Sequence, residues 1–510
     1  MHKFKEKITL NPVMTLIILI GAVILLSGIL SLLGIGANYD KIDVKTGEVV
    51  ATSENVTSML SLSGLKYIFT STVSNFTSFT PLSSLIIILI GIGIMEKSGF
   101  LRTVFTIMTK YFKKYTITFW LIFVSIIFSI VGDIGYVVMI PIAGLLFYYG
   151  RRNPLIGIVA AYAGLTCGSG LSVFLTSLDS EMLKYSLVNA HLIDSNYTIG
   201  GLAFLFIMIV AIIAVSIVLT IITEKVSVLT VAKYEYKDEK KEMRLGRREY
   251  RGLIFAIAAG TIYLLAILYN IIPGLPFSGN LLDHTQHFYI DKLFSYESFF
   301  SDGFVFVVMI FFVTLGLFYG IGAKTIKDHN DFCEDLAHSL DGTGRTLILI
   351  LLGSILINVF KKSNIGVVIT VALSNVLGNG SFSGIPLIII LFLISAVSTL
   401  FLTGPTSKWS IISTVAVPAL MNNSLSPEFA QLIVRFGECM TAGITPLLAY
   451  FTIYIAYIEK YNQEEEPISL FKTIKYQFGY SMVTGLVLLL IIIGWFLLGL
   501  PIGIGGSITA

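Results

Sequence analysis

The chain has 510 residues, 55% of them hydrophobic and only 13% charged, with a formal charge of +3 and a mean hydropathy of +0.86. Soluble domains carry about 25% charged residues, so a soluble globular protein is excluded and a polytopic protein packed against lipid is implied. The small net charge calls for no nucleic-acid partner, and three scattered cysteines, Cys167, Cys333 and Cys439, form no disulfide or metal framework.

Lys3, Lys5 and Lys7 precede an uncharged run from Ile8 to Tyr39. That run is too long for a signal-peptide core and predicts a retained first span, with a cytoplasmic N-terminus. Residues 37–80 are rich in Ser, Thr and Asn and read as external. A second span over about 81–95 returns to Lys97, and residues 98–115 read as an interfacial amphipathic helix. The stretch 116–149 is long for one span and is split by Gly132-Asp133; with Arg151 and Arg152 after it, a re-entrant hairpin with its tip at Asp133 fits best. Residues 154–190 read as a helix broken at Gly168 to Ser172, and 198–223 as a plain span. These 225 residues form a first transmembrane half. Nine Lys or Arg lie between Lys225 and Arg251, which makes 226–251 a basic cytoplasmic loop.

The second half, 252–510, repeats the plan. Spans are expected at about 252–272 and 302–322, a mixed-charge helix at 324–341, a hairpin at 346–380 with its tip at Asn364, and a broken helix at 385–421. Runs at 428–457 and 478–500 close the chain. The pairing rests on Gly132-Asp133-Ile134-Gly135 against Ser363-Asn364-Ile365-Gly366, and on Pro154 against Pro386. Small residues then interrupt both halves, at Gly168-Ser169-Gly170-Leu171-Ser172 and Thr403-Gly404-Pro405-Thr406. Matched interruptions in two halves of a membrane protein are the best sequence pointer to a transporter's binding site. One conflict follows: charge counting brings both hairpins in from the same side, whereas an inverted repeat needs opposite sides. A miscounted crossing is the preferred resolution.

Charged groups inside spans cost at least ~2.5–3.5 kcal/mol each at mid-span, so the few present are candidates. Asp133 is a coupling-ion ligand or proton acceptor, or else a cap on the hairpin turn. Asn364 is a neutral lining residue. Asp179 lies past the first break, near the water boundary with Glu181 and Lys184. Lys408 follows the second break. Arg435 and Glu438 share a helix face and can pair, or Arg435 can fork an anionic substrate. Ser172, Thr403 and Thr406 offer hydroxyls beside freed backbone, whose N–H ends suit a carboxylate and whose carbonyls suit Na⁺; a back-bond to the preceding turn is the alternative. Trp409 either stacks on an aromatic substrate or packs. No phosphate-binding loop and no HExxH motif is present.

Several stretches together resemble one family over nearly the whole chain. They are Asn75 to Phe79, Gly91 to Gly99, Asp133 to Pro141, Leu178-Asp179, Ser363 to Gly366, Lys408-Trp409, Ser426 to Glu428, Arg435 to Glu438 and Ile444 to Pro446. The family is AbgT, the p-aminobenzoyl-glutamate transporters. The resemblance implies an all-α polytopic fold of about nine transmembrane helices and two re-entrant hairpins with an internal repeat, assembled as a homodimer with a bowl-like cavity. It implies transport of p-aminobenzoyl-glutamate or related folate catabolites, and in some members export of sulfonamides. It points to Asp179, Thr406, Trp409, Pro427, Arg435, Glu438 and Pro446. Thr406 stands where Ser is usual and Glu438 where Asp is usual, while Ser172 and Thr399 stand where amides are expected.

The resulting expectation is a secondary active transporter of a small organic anion in the plasma membrane, driven by H⁺ or Na⁺. It needs no cofactor beyond a possible Na⁺ near Asn364, Thr399 and Thr403. The site set is Asp133, Gly135, Gly168, Gly170, Ser172, Asp179, Ser363, Asn364, Gly366, Thr399, Thr403, Thr406, Trp409, Pro427, Arg435, Glu438 and Pro446. A passive channel would need a continuous polar stripe, and isolated breaks stand in its place. An intramembrane aspartyl protease would need glycine where Ile130 stands.

Overall fold

The computed structural model describes residues 10–42, 48–173, 176–236, 245–286, 289–294 and 298–509. Lys3, Lys5 and Lys7, and the middle of the basic loop, lie outside the described residues. The protein is mostly helical, and eight of the described helices are long and apolar enough to cross a membrane.

In the first half, α1 (Pro12–Leu32) starts behind Asn11, whose side chain accepts from Val13 N at 3.0 Å. A two-stranded antiparallel ribbon follows, β1 (Gly36–Ile42) and β2 (Val49–Asn55), with Tyr39 opposite Thr52. The composition of 37–80 did not announce this ribbon. Next come α2 (Leu62–Thr77), α3 (Thr80–Lys97) and the amphipathic α4 (Phe100–Tyr111). Helices α5 (Lys114–Phe128) and α6 (Asp133–Tyr149) are joined by a tight turn through Gly132, which has φ 60°. Then α7 (Pro154–Cys167) and α8 (Ser177–His191) flank the first break, and α9 (Leu205–Ile222) follows.

The second half holds α10 (Arg247–Ile271), α11 (Phe299–Ala323) and the short α12 (His329–Ala337). Six helices come after these: α13 (Gly344–Lys362), α14 (Ile365–Asn379), α15 (Gly384–Thr399), α16 (Pro405–Met421), α17 (Pro427–Thr441) and α18 (Phe451–Lys460). The long α19 (Leu470–Leu498) closes the bundle. It begins eight residues earlier than the apolar run suggests, because Lys472 and Lys475 sit on its solvated first turns.

Which helix ends meet defines two faces. At one face Arg152 pairs with Glu224 and donates to the Lys114 carbonyl, and Arg345 pairs with Glu459 at 3.0 Å. Tyr461, just past α18, lies against Tyr148 of α6 with ring centroids 6.4 Å apart, which puts both ion pairs on this face. At the opposite face Phe206 N donates to Ile502 O, Tyr197 donates to Glu428 at 2.8 Å, and Ser426 N donates to Ile508 O. Helices α9 and α19 run the full distance between the faces.

Tracing the chain between these faces corrects the second half. Helices α5 and α6 leave and return to the Glu224 face, so they are a hairpin. Helix α13 starts at Glu459 on that same face, but α14 runs along α16 and ends beside it near Val415, toward the Glu428 face. The stretch 346–380 is therefore a crossing, kinked at Ser363-Asn364, and not a hairpin. Asn364 sits there with φ 59°, a conformation that Asn tolerates better than most residues. The second hairpin is instead α15–α16, the stretch read as a broken helix at 385–421. Its two outer ends meet where Asn423 Nδ2 donates to Phe382 O at 3.5 Å on the Glu428 face.

The run 428–457 is not one helix either. It breaks after Thr441, and α18 resumes at Phe451; this is the second broken crossing. Hairpin, broken crossing and straight span then occur twice, as α5–α6, α7/α8, α9 and as α15–α16, α17/α18, α19. They enter from opposite faces, as an inverted repeat requires. The parity conflict disappears because α13–α14 adds the missing crossing.

The hairpin assignment makes a labelling prediction. With native Cys333 replaced by Ser, single cysteines at Ser381 and Asn422 should react with a membrane-impermeant maleimide from the same side. Glu465→Cys should react from the other. Labelling of Ser381 and Asn422 from opposite sides would overturn the α15–α16 hairpin.

Candidate functional site

The tips and breaks of both repeats converge, and charged side chains fill the junction. Thr176 caps α8 by accepting from Asp179 N at 3.1 Å, while the Asp179 carboxylate accepts from Thr176 Oγ1 at 2.8 Å. This capping box fixes Asp179 on the first turn of α8. Only 5% of Asp179 is exposed, so it does not sit at a water boundary. Its other oxygen lies 3.3 Å from Arg435 Nε.

Arg435 and Glu438 lie one turn apart on α17, where Ser426 caps the helix through Phe429 N and Pro427 occupies the first helical position. Arg435 donates from one terminal nitrogen to Glu438 Oε2 at 3.2 Å and from the other to Ser169 O at 2.7 Å. Ser169 belongs to the first break, so the guanidinium satisfies a carbonyl that the interrupted helix leaves free. Lys408, wholly buried on α16, donates to Thr399 Oγ1 at 2.6 Å and lies 3.4 Å from Glu438 Oε2. The cluster holds two carboxylates and two cations and is neutral. An unpaired ion would cost several kcal/mol in such a site, and a balanced set limits that penalty.

The glycines permit the convergence. A Cβ on Gly170 would lie 2.5 Å from Arg435 O, and Gly170 N donates to Cys439 Sγ at 3.2 Å. A Cβ on Gly135 would lie 2.1 Å from Phe128 O across the hairpin turn. Gly168 offers its carbonyl to Ser129 Oγ at 2.8 Å, tying the first hairpin tip to the first break. Thr445 donates to Leu400 O at 2.8 Å, tying the second break to the second tip, with Pro446 following. Tyr136 of the first hairpin stacks on Tyr450 of the second break at 4.0 Å. Sequence reasoning missed this second break. Its signal was Gly443-Ile444-Thr445-Pro446 inside an apolar run.

The remaining candidates separate into two groups. Ser172 is buried in the first break. Thr403 and Thr406 are half-buried at the second tip, and Thr406 donates to Glu181 at 3.4 Å. Asp133 is half-buried at the start of α6, beside exposed Gly132. Trp409 lies on the α8 side of α16, away from the ion cluster. It is fully buried, and its indole N–H reaches Met182 O at 3.1 Å and Ser186 Oγ at 3.0 Å.

Ser363, Asn364 and Gly366 mark the α13–α14 kink and not a hairpin tip. Ser363 O accepts from Thr57 N at 3.0 Å, and Asn364 Nδ2 donates to Glu54 on β2 at 2.9 Å. Gly366 lies against the Phe401 backbone. Asn364 and Thr399, read together as Na⁺ ligands, are thus engaged with different partners, one a carboxylate on the ribbon and the other an ammonium. Among the described residues no three His, Cys, Asp or Glu lie close enough to hold a metal ion.

The chain resembles known proteins over nearly its whole length. A family model described as the AbgT putative transporter family matches residues 5–510. The p-aminobenzoyl-glutamate transport protein of Escherichia coli K12 is 24% identical over 495 residues, which is 97% of this chain and 94% of that protein. MtrF of Neisseria gonorrhoeae, described as illuminating a class of antimetabolite efflux pumps, is 26% identical. That comparison covers 98% of both chains with a TM-score of 0.50. The YdaH transporter of Alcanivorax borkumensis, described as having an unusual topology, is 24% identical over 97% of this chain and 100% of its own, with a TM-score of 0.48. The homologues are transporters and not enzymes.

The charge balance predicts non-additive losses. Arg435→Met leaves Asp179 and Glu438 with one ammonium between them and should cost about 3–5 kcal/mol of stability. Arg435→Met with Asp179→Asn removes one charge of each sign and should recover part of that loss. Thermal melts of the purified protein would show the double variant melting above the single one. Simple addition of the two losses would mean that the charges are uncoupled.

Proposed function

The chain belongs to the AbgT putative transporter family, and from that premise we propose that it carries a small organic anion across the plasma membrane by ion-coupled secondary transport. The substrate class is p-aminobenzoyl-glutamate or a related aromatic amide acid. The observation that carries this reading is Arg435, which joins the two broken helices inside a neutral cluster. A substrate carboxylate that takes one guanidinium edge would exchange with Glu438 or with the Ser169 carbonyl without leaving the cation unpaired. Freed backbone at both breaks supplies further donors.

Exchange of partners of this kind links substrate binding to helix position. Arg435 holds the first break through Ser169, and Glu438 holds the second hairpin through Lys408. Occupancy that alters either contact alters how the two repeats lean on each other. The coupling ion is H⁺ or Na⁺, with Asp133, Asp179 and the broken-helix carbonyls as the groups within reach of it.

Charge placement supports an orientation. Lys97, Lys114, Arg151, Arg152, Arg251, Lys324, Arg345 and Lys460 lie at or next to the Glu224 face. The connections 192–204, 422–426 and 499–509 at the Glu428 face carry no Lys or Arg. Cytoplasmic loops are the Lys- and Arg-rich ones, so the Glu224 face is inside. Helix α1 then starts in the cytoplasm, and the ribbon lies outside. A homodimer, with lipid covering the remaining apolar flanks, is the expected assembly. Export of an antimetabolite is the second reading, favoured by the likeness to MtrF.

Proteoliposomes test the proposal. Uptake or efflux of labelled p-aminobenzoyl-glutamate should accelerate under an imposed pH or Na⁺ gradient. Arg435→Lys, which keeps the charge and loses the fork, should slow it about 10–100-fold, the worth of one charge-assisted hydrogen bond. Counterflow that ignores both gradients would overturn the coupling, and single-channel currents would overturn the carrier itself.

A further inference from the structure

Lys408 occupies an unusual position for a lysine. Its side chain has no exposure to solvent, and its ammonium sits where both arms of the second hairpin meet the crossing helix α17. Thr399 Oγ1 from the end of α15 accepts from it at 2.6 Å, and Glu438 Oε2 from α17 lies 3.4 Å away. A hydroxyl at the tip of a re-entrant hairpin and a carboxylate on the helix it meets are hard oxygen donors, the kind of ligand that also suits an alkali cation. Here they surround a cation that is covalently part of the chain.

We infer that Lys408 is a tethered substitute for a coupling Na⁺: its ammonium fills the cation position between the second hairpin tip and α17, so this chain takes no Na⁺ there. The inference deepens the transporter reading and rests on it for its meaning, while its test does not. Charge counting supports it. Asp179 and Glu438 are balanced by Arg435 and Lys408, so an added Na⁺ would leave the cluster with a surplus positive charge in a site nearly closed to water. Like charges at such range repel strongly where the dielectric is low. Removing the ammonium reverses the sign. The cluster then carries one surplus negative charge, with Thr399 and Glu438 oxygens facing the vacated volume.

This gives a gain-of-function test that does not depend on transport. Any Na⁺-specific rise in Tm of the wild type in detergent, read in NaCl against KCl and choline chloride of equal ionic strength, should persist in Thr399→Val, because the position beside Thr399 holds no Na⁺. Lys408→Ala should acquire a Na⁺-specific rise in Tm of about 1–2 °C or more, saturating with NaCl, because a ligand that binds only the native state raises its stability. Lys408→Met, which fills the volume without charge, should show a smaller Na⁺ response than Lys408→Ala.

A Na⁺-specific shift in the wild type that Thr399→Val abolishes overturns the inference. So does the lack of any Na⁺ response in folded, monodisperse Lys408→Ala. If neither variant can be purified folded even in NaCl, the inference is overturned, because it expects Na⁺ to take the vacated position and balance Glu438. Failure of labelled p-aminobenzoyl-glutamate to move in proteoliposomes would count against the transporter reading alone and leave the melting result standing.

Discussion

Backbone that leaves its helix inside a bilayer must find partners within the protein, and the rest of this fold follows from that constraint. An unpaired buried amide costs several kcal/mol in an apolar medium. Besides the α13–α14 kink, where Thr57 N takes Ser363 O, the chain interrupts its helices at two hairpin turns and two breaks, and it satisfies these four against one another. Ser129 of the first tip donates to Gly168 O of the first break, and Thr445 of the second break donates to Leu400 O of the second tip. Across the repeats, Arg435 takes Ser169 O, and Gly170 N finds Cys439 Sγ. Thr441 donates to Ala396 O. Each of these four is held by another beside it, which is why they occur as a matched set.

The charged cluster follows from the same geometry. A guanidinium has enough donors to serve a carbonyl and two carboxylates at once, and α17 places it where the first break passes. Its charge demands carboxylates, and Glu438 in turn draws the Lys408 ammonium of the second hairpin onto α17. Trp409, next in sequence, faces the other way and locks α16 onto α8 through Met182 O and Ser186. One helical turn therefore joins the hairpin to the ion cluster on one side and to the scaffold on the other.

Much of this was legible in the sequence, though not its bookkeeping of crossings. The chemistry was visible residue by residue: Arg435 with Glu438, Asp179 past a break, Lys408 beside a glycine-proline turn. What misled was an apparent duplication. Gly132-Asp133-Ile134-Gly135 and Ser363-Asn364-Ile365-Gly366 look alike because both are places where a helix stops and restarts, and a hairpin turn and a kinked crossing use the same small and polar residues. Apolar periodicity cannot separate them, since both leave the same hydrophobic arms. The second break was harder to see, because Gly443 to Pro446 sits within a run whose flanks are apolar throughout. The ribbon's contact with Asn364 was invisible, since a bond over more than 300 residues leaves no local trace.

The two faces are closed by different means, and that difference bears on how the bundle moves. On the Glu224 face the ends of the first hairpin are held by Arg152 to Glu224, with Thr118 on the same carboxylate, and α13 is held by Arg345 to Glu459. On the Glu428 face the carboxyl-terminal segment is laid across the helix ends, with Ser507 N on Glu428 and Ser426 N on Ile508 O. Ion pairs near water contribute little when exposed and more when half-buried, and they reform readily after separation. A strand-like segment pinned by backbone bonds is released only as a unit. The hairpin on the Glu224 face is thus closed by a few discrete side-chain contacts, while the hairpin on the Glu428 face adjoins a segment that must move with it. The second hairpin meets the central cluster directly, through Lys408 on Glu438, whereas the first hairpin meets it through the first break, where Ser129 holds Gly168 O and Arg435 holds Ser169 O.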